Sequence, residues 1–282
     1  MSNRAVLLID CPDRKGLVAA VSGLLYEFGA NITHADQHQD RAAGLFFMRV
    51  EWLLDDFDLA QFQPQFETMA ADLRMRWELK LLSEMPRVAI FVSQHLHCLV
   101  DLLHRRQTGE LCCEIPVIVS NHADAAPLAE FYGIPFRQIP LTRETREAAE
   151  CEQRRLLAEA RIELVVLARY MQILSAEFVR EYPSRIINVH HSFLPAFMGA
   201  KPYHAAFARG VKLIGATSHY VTAELDDGPI IEQDVVRISH RDQVEDLIRK
   251  GRDLERIVLS RAVAWHLKER VLCYGNKTVV FD

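Results

Sequence analysis

The chain has 282 residues, half of them hydrophobic and a quarter charged, with 12 glycines and 11 prolines; at roughly 100–200 residues per domain this favours two globular domains and excludes a disordered or low-complexity protein. A net charge of −5 provides no electrostatic footprint for nucleic acid or an anionic membrane. The longest apolar runs fall far short of the roughly 20 residues of a membrane span, and the apolar run near the start is too short for a signal peptide, so a cytoplasmic protein with neither partner is expected.

Ala5–Cys11 is an apolar run closed by Pro12, and Asp13-Arg14-Lys15-Gly16 has turn chemistry. Leu17, Val18, Val21, Leu24, Leu25 and Phe28 then recur at helical spacing, with Gly29 as a stop. Asn31–Gln39 and Gly44–Trp52 read as strands joined by a polar turn, Leu59–Leu73 as a helix and Trp77–Leu82 as a strand. The order β-α-β-β-α-β is the ferredoxin-like arrangement, a sheet with two helices on one face. Ser83-Glu84-Met85-Pro86 reads as a linker, so the expected domains are 1–83 and 84–282.

Beyond the linker, strands and helices alternate: Arg87–Ser93, Leu96–Thr108, Ile115–Ser120, Ala125–Tyr132, Pro135–Ile139, Arg143–Ala160, Leu164–Ala168, Ala176–Tyr182 and Ile186–Val189. Near-continuous Val/Ile/Leu runs such as Leu164–Ala168 suit strands buried on both faces of a parallel sheet. The fold class is therefore α/β, a ferredoxin-like domain followed by a doubly wound, mostly parallel sheet. The tail, Thr217–Val221 and Ile230–Ile238, reads as antiparallel, followed by a helix over Gln243–Trp265 and a strand over Thr278–Phe281. The six cysteines include no C-x-x-C pair and are expected as reduced, buried thiols.

Ligands of such sheets bind beyond the carboxyl ends of the strands, which draws attention to the segment after Ile186–Val189. Asn188 and His190, two apart on a strand, face one side together. A second polar concentration, Thr222 to Pro229, contains Asp226. An amide, an imidazole and a carboxylate suit attack on a formyl carbon, with two groups stabilising the oxyanion and one handling protons. From the residues alone, a hydrogen-bonded core histidine and a turn aspartate bonding its own backbone remain open alternatives.

The run Asn188-Val-His190-His-Ser192-Phe-Leu194-Pro195-Ala-Phe197 closely resembles the N-[IV]-H-P-S-L-L-P signature of the glycinamide ribonucleotide formyltransferase family. Leu225-Asp226-Asp227-Gly228-Pro229-Ile230-Ile231 resembles that family's L-D-G-G-P-[IV]-I, at a fitting interval of 226 − 188 = 38 residues. The resemblance implies a formyltransferase-like fold over about 87–282, with Asn188 and His190 facing the formyl carbonyl and Asp226 assisting proton transfer. It also implies folate contacts at Met171, Gln172, Ile173, Leu174, Thr222 and Leu225. His191 and Asp227 depart from the family pattern, which has proline and glycine there.

At the first strand–helix junction Ser93-Gln94-His95-Leu96-His97-Cys98-Leu99 has no glycine, so backbone N–H groups are obstructed from approaching a phosphate. Water then becomes the expected nucleophile. Gly199-Ala200-Lys201-Pro202-Tyr203-His204 and Arg209–Thr217 resemble formyltetrahydrofolate deformylases in particular, over nearly the whole chain. This implies hydrolysis of 10-formyltetrahydrofolate to tetrahydrofolate and formate, without a cofactor, supplying formate for one-carbon and purine metabolism and balancing the folate pool. Formyl transfer to another amine and a catalytically idle amino-acid sensor are the competing readings. His95, His97, His190, His191, His204 and His219 suggest a metal, but zinc requires three or four converging donors, and no metal is expected.

Asp13-Arg14-Lys15-Gly16-Leu17, with Gly29-Ala30-Asn31-Ile32, resembles the ACT domain family. The resemblance implies a homo-oligomer and an amino-acid effector such as glycine or methionine at Asp13, Arg14, Gly16 and Asn31.

Overall fold

The computed structural model describes residues 3–83, 85–196 and 202–282 and divides into two compact units. The front unit opens with β1 (Arg4–Pro12), α1 (Leu17–Glu27), β2 (Asn31–Asp40), β3 (Leu45–Leu53), α2 (Leu59–Leu73) and β4 (Arg76–Leu81). Its sheet has the order β2-β3-β1-β4 with every pair antiparallel. Alternate residues of β1 and β3, among them Leu7, Ile9, Val50 and Trp52, form one buried cluster with Val21 and Leu25 of α1 and Phe62 and Phe66 of α2. Trp52, Phe57 and Phe62 interlock with ring centroids 5.2–5.9 Å apart, the tilted geometry that aromatic quadrupoles favour. Asp58 caps α2 by accepting from the Gln61 N–H at 3.1 Å, which satisfies one of the free donors of the first turn.

The other face of this sheet is also buried: Val6, Leu8, Phe47 and Arg49 point there. The end of the chain accounts for it. Residues 268–272 and 279–282 pack with the front unit, and the Arg49 side chain donates to the carbonyls of Glu269 (2.8 Å) and Lys268 (3.1 Å) while pairing with Glu51 (2.9 Å). The division at residue 83/84 expected from the linker leaves these segments in the wrong unit. A pattern read along the chain does not register a tail that returns to complete an earlier core.

The second unit spans residues 86–267 and 273–278. It runs β5 (Arg87–Val92), α3 (His97–Gln107), β6 (Glu114–Ser120), α4 (Ala126–Phe131), β7 (Phe136–Gln138), α5 (Arg146–Glu159), β8 (Leu164–Leu167), α6 (Ala176–Glu181), β9 (Ile186–His190), α7 (Pro202–Arg209), β10 (Leu213–Tyr220), β11 (Ile230–Arg237) and α8 (Val244–Leu267). The chain closes with the small hairpin β12 (Val271–Tyr274) and β13 (Lys277–Val280). The large sheet has the order β11-β10-β9-β8-β5-β6-β7, parallel from β9 to β7, with β10 and β11 antiparallel. Helix α7 and strand β12 are additions to the elements expected from the sequence. Among the described residues no helix is long and apolar enough to cross a membrane.

β5 has β6 on one side and β8 on the other, so the strand order reverses there, and the carboxyl ends of β5 and β8 border the crevice in which such sheets bind ligands. Ser93 ties those ends together. Its N–H donates to the Arg169 carbonyl (3.2 Å), and its hydroxyl accepts from the Met171 N–H (3.0 Å) and donates to Asn121 Oδ1 (2.8 Å).

Candidate active site

β9 brings Asn188 and His190 to one face, and its pairing with β10 sets Asn188 opposite His219 and His190 opposite Thr217. Side chains opposite one another on paired strands share a face. His219 therefore joins the site through register, whereas the linear sequence had marked it only as one of several histidines that suggest a metal. The β10–β11 loop carries Asp226, with φ +54° in the left-handed region that aspartate tolerates better than most residues. That loop closes tightly: Tyr220 N–H donates to the Pro229 carbonyl at 2.9 Å, and a Cβ on Gly228 would lie 1.7 Å from the Tyr220 carbonyl oxygen. Gly228 is the residue that lets the loop fold back over the strands.

The result is a compact cluster. His190 Nδ1 lies 3.3 Å from Asp226 Oδ2, and Asn188 Nδ2 lies 3.3 Å from His219 Nε2. His219 Nδ1 is 2.9 Å from the Tyr220 carbonyl, which can only accept, so the neutral ring carries its proton on Nδ1 and accepts from Asn188 at Nε2. That leaves the second amide N–H of Asn188 for a ligand. His219 Nε2 is also 3.7 Å from Asp226 Oδ1, a contact that becomes attractive when the ring is protonated. The Asp226 carboxyl is held well below the usual carboxylate range by His190 and then His219, outweighing its partial burial.

His190 Nε2 is buried and has no hydrogen-bond partner among the described residues. A buried polar nitrogen without a partner is costly, and here it is the unpaired end of an imidazole whose other nitrogen is held by a carboxylate. With Nδ1–H facing Asp226, Nε2 is left with a lone pair that can accept a proton. The cluster thus combines a proton-transfer dyad with an amide donor, the chemistry of carbonyl addition.

The turn after β9 is secured by Thr217, whose hydroxyl donates to the Ser192 carbonyl (2.8 Å) and accepts from the Leu194 N–H (3.0 Å) and Gln233 Nε2 (2.9 Å). Phe197, Gly199, Ala200 and Lys201, part of the motifs singled out above, lie outside the described residues. Met171, Ile173 and Leu225 expose large apolar side chains, each more than half accessible, as an apolar ligand face would. Thr222 instead bonds the Glu224 carbonyl (3.0 Å) and shapes the Asp226 loop, and the half-buried Gln172 sits between Met171 and Ile173. The Leu174 side chain is buried in the core with Tyr170 and Phe178.

In the front unit Asp13, Arg14 and Gly16 line a surface cavity of about 580 Å³ together with Gln37, His38, Gln39 and Phe46. Asn31 does not join them. It pairs with Leu53, whereas Pro12 pairs with Leu45, and eight steps along β3 at about 3.3 Å each separate the two by about 26 Å within one chain. The resemblance placed both in one site, but strand register sends them to opposite ends of the sheet.

Among the described residues, one group of three possible metal donors converges, His97, Cys98 and Glu255, within 4.8 Å of one another. It differs from the histidine sets noted in the sequence and fits a metal poorly. Burial pushes the Cys98 thiol well up, away from the thiolate a metal needs, and the Glu255 oxygens are engaged by His97, Tyr203 and Arg169.

A parallel sheet of this order, with an amide, an imidazole and a carboxylate meeting beyond its strands and a ferredoxin-like unit in front, defines a formyl transferase-type unit joined to an ACT domain. Family models agree: Formyl transferase matches residues 86–263 and ACT domain matches residues 5–51. The formyltetrahydrofolate deformylase of Synechocystis sp. is 54% identical over 279 residues, 98% of either chain. That of Bacillus subtilis is 51% identical over 284 residues, covering 98% of this chain and 93% of the relative. A crystal structure of a formyltetrahydrofolate deformylase from Pseudomonas syringae pv. tomato superposes with a TM-score of 0.96 at 49% identity, covering 100% of this chain and 95% of that one. The chain belongs to the formyltetrahydrofolate deformylase family.

Proposed function

We propose that this protein hydrolyses 10-formyltetrahydrofolate to tetrahydrofolate and formate, with Asn188, His190 and Asp226 as its catalytic residues. The observation that carries the reading is the buried Nε2 of His190, without a partner among the described residues, backed at Nδ1 by Asp226 and set two residues from the Asn188 amide. Water adds to the formyl carbon and gives up a proton to the His190–Asp226 pair. The carbonyl oxygen becomes an oxyanion that accepts from the free Asn188 N–H, and the C–N10 bond then breaks as the retained proton passes to N10. Formate leaves with the oxygen of the water. The sequence of steps consumes only water and calls for no redox cofactor.

Met171, Ile173 and Leu225 suit the flat apolar body of the folate, with Gln172 and Thr222 at its edge. In the front unit, the cavity beside Asp13, Arg14 and Gly16 offers an amino-acid effector such as glycine or methionine a charged rim and the opening turn of α1, and calorimetric titration with each tests it. Residues 86–267 and 273–278 are read as the catalytic domain, and the remainder as an ACT regulatory and oligomerisation domain. The decisive assay is formate release from 10-formyltetrahydrofolate in buffer alone. Stoichiometric formate is expected; no formate in buffer, with the formyl group recovered on an added amine acceptor, would instead establish a transferase.

A further inference from the structure

Behind the catalytic cluster lies a buried charged chain that the proposed reaction does not use. Glu255, on α8, is 1% exposed. Its Oε2 meets His97 Nε2 at 2.7 Å and forms an ion pair with Arg169 Nε at 3.4 Å, while its Oε1 accepts from the Tyr203 hydroxyl at 2.9 Å. Burial works against its ionisation, but His97 and the Arg169 charge prevail and keep its carboxyl below the ordinary range. Three different elements thus converge on one buried anion: α3, the turn after β8, and α7.

The chain continues toward the reacting groups. Arg169 Nη1 lies 2.9 Å from His191 Nδ1, and the His191 ring stacks on His190 with centroids 4.8 Å apart and planes 22° apart. A guanidinium can only donate and does not lose its proton, so His191 Nδ1 must be the acceptor. The proton of His191 then resides on Nε2, and the ring is neutral. Arg169 holds this aim from a left-handed backbone conformation, φ +64°, of the kind that persists where surrounding structure over-determines it. Gly251 of α8 belongs to the same construction: a Cβ there would sit 2.0 Å from the Tyr203 hydroxyl, so a glycine inside a long helix, which costs about 0.5–1 kcal/mol, makes room for the tyrosine that reaches Glu255.

We propose that Glu255 is a positioning residue of the active site: by pairing with Arg169 it aims the guanidinium at His191, and so fixes His191 as the neutral, Nε2-protonated ring stacked against His190. A second imidazolium is thereby kept from forming beside His190, which is free to cycle its own proton. The groups that face His190 are Asp226 from the β10–β11 loop, with His219 of β10 behind it, and His191 from its own strand's end. Behind His191 stand Arg169, Glu255, His97 and Tyr203, with His95 and Arg252 in electrostatic reach of Arg169's surroundings. Removing the anion from this set leaves the Arg169 charge uncompensated, which disfavours the charged form of a neighbouring imidazole.

The kinetic part of the test rests on the hydrolase reading; the spectroscopic part does not. In the full chain, Glu255→Gln keeps the side-chain shape and one acceptor oxygen, replaces the other by an amide donor, and removes the charge. It is expected to lower kcat about 10-fold or more, in the range of an acid–base positioning effect, to leave KM nearly unchanged, and to move the limb of the pH–kcat profile that belongs to His190 to lower pH. A loss of kcat with that limb unmoved would mark a structural role and overturn the proposal. Nitrogen-15 spectra of histidine-labelled protein read the tautomer directly. In the parent protein His191 is expected to remain unprotonated at Nδ1 from pH 5 to 8, and in Arg169→Met it is expected to titrate. A parent His191 that is protonated at Nδ1 in this range overturns the proposal, whether or not the variants fold and whether or not formate is released.

Discussion

Asn188 has one amide N–H committed to His219 and one to offer to a developing oxyanion. Its replacement by alanine is expected to lower kcat by about 10²–10³, or roughly 3–4 kcal/mol, with KM changing much less, since the bond strengthens only as the charge forms. Steady-state formate release checks both parameters. Asp226 leads to a different expectation. Its folded-state carboxyl titrates below the usual range because His190 and His219 favour the anion. The stabilisation from this depressed value is therefore fully present above the unfolded carboxylate range near pH 4 and is lost as pH falls through the folded value. Asp226→Asn is expected to unfold with a shallower dependence on pH below about 4, measured by urea titration at several acidic values, while its activity at neutral pH falls steeply. An activity limb above pH 5 then belongs to a group other than Asp226, because that carboxylate stays ionised throughout.

At the scale of elements, the site depends on the antiparallel turn from β10 into β11. Gly228 stands against the Tyr220 carbonyl, so Gly228→Ala has to push the loop outward and carry Asp226 with it. A displacement of about 1 Å costs on the order of 10² in rate. The variant is expected to retain its far-ultraviolet circular dichroism and lose activity by about that factor, whereas alanine at the open turn glycine Gly133 tests left-handed strain alone and leaves catalysis near normal. The motif around Asp226 was visible in the sequence as a polar turn between apolar runs. Its reach back to His190 was not, because the turn's direction is set by strand register and by a contact with Tyr220 eight residues earlier in the chain.

For the whole molecule, the chain's last residues matter more than their position suggests. Arg49 is 1% exposed and holds Glu51 and the carbonyls of Lys268 and Glu269. Arg49→Met removes the buried guanidinium's bonds to both carbonyls and leaves Glu51 with Arg4 alone, at a cost of about 1–3 kcal/mol. A lowered urea midpoint for the front unit is expected, read by the fluorescence of Trp52 and Trp77 in its core. Removal of residues 268–282 is expected to destabilise the same unit, even though in sequence they begin 268 − 12 = 256 residues after its first strand.

The local patterns were decided by the sequence alone. Helical spacing in Leu17–Phe28 and Leu59–Leu73, continuous aliphatic runs in the parallel strands, and the paired motifs around Asn188 and Asp226 are short-range signals, because periodicity and turn chemistry act over a few residues. What only the tertiary structure decided are the meetings between distant segments. His219 comes beside Asn188, Arg169 and Glu255 stand behind His191, Leu174 turns into the core, Asn31 lies far from Gly16, and the tail returns to Arg49. Each depends on strand register or on packing across layers, where a one-residue slip would reverse every side chain, and no local preference encodes that choice.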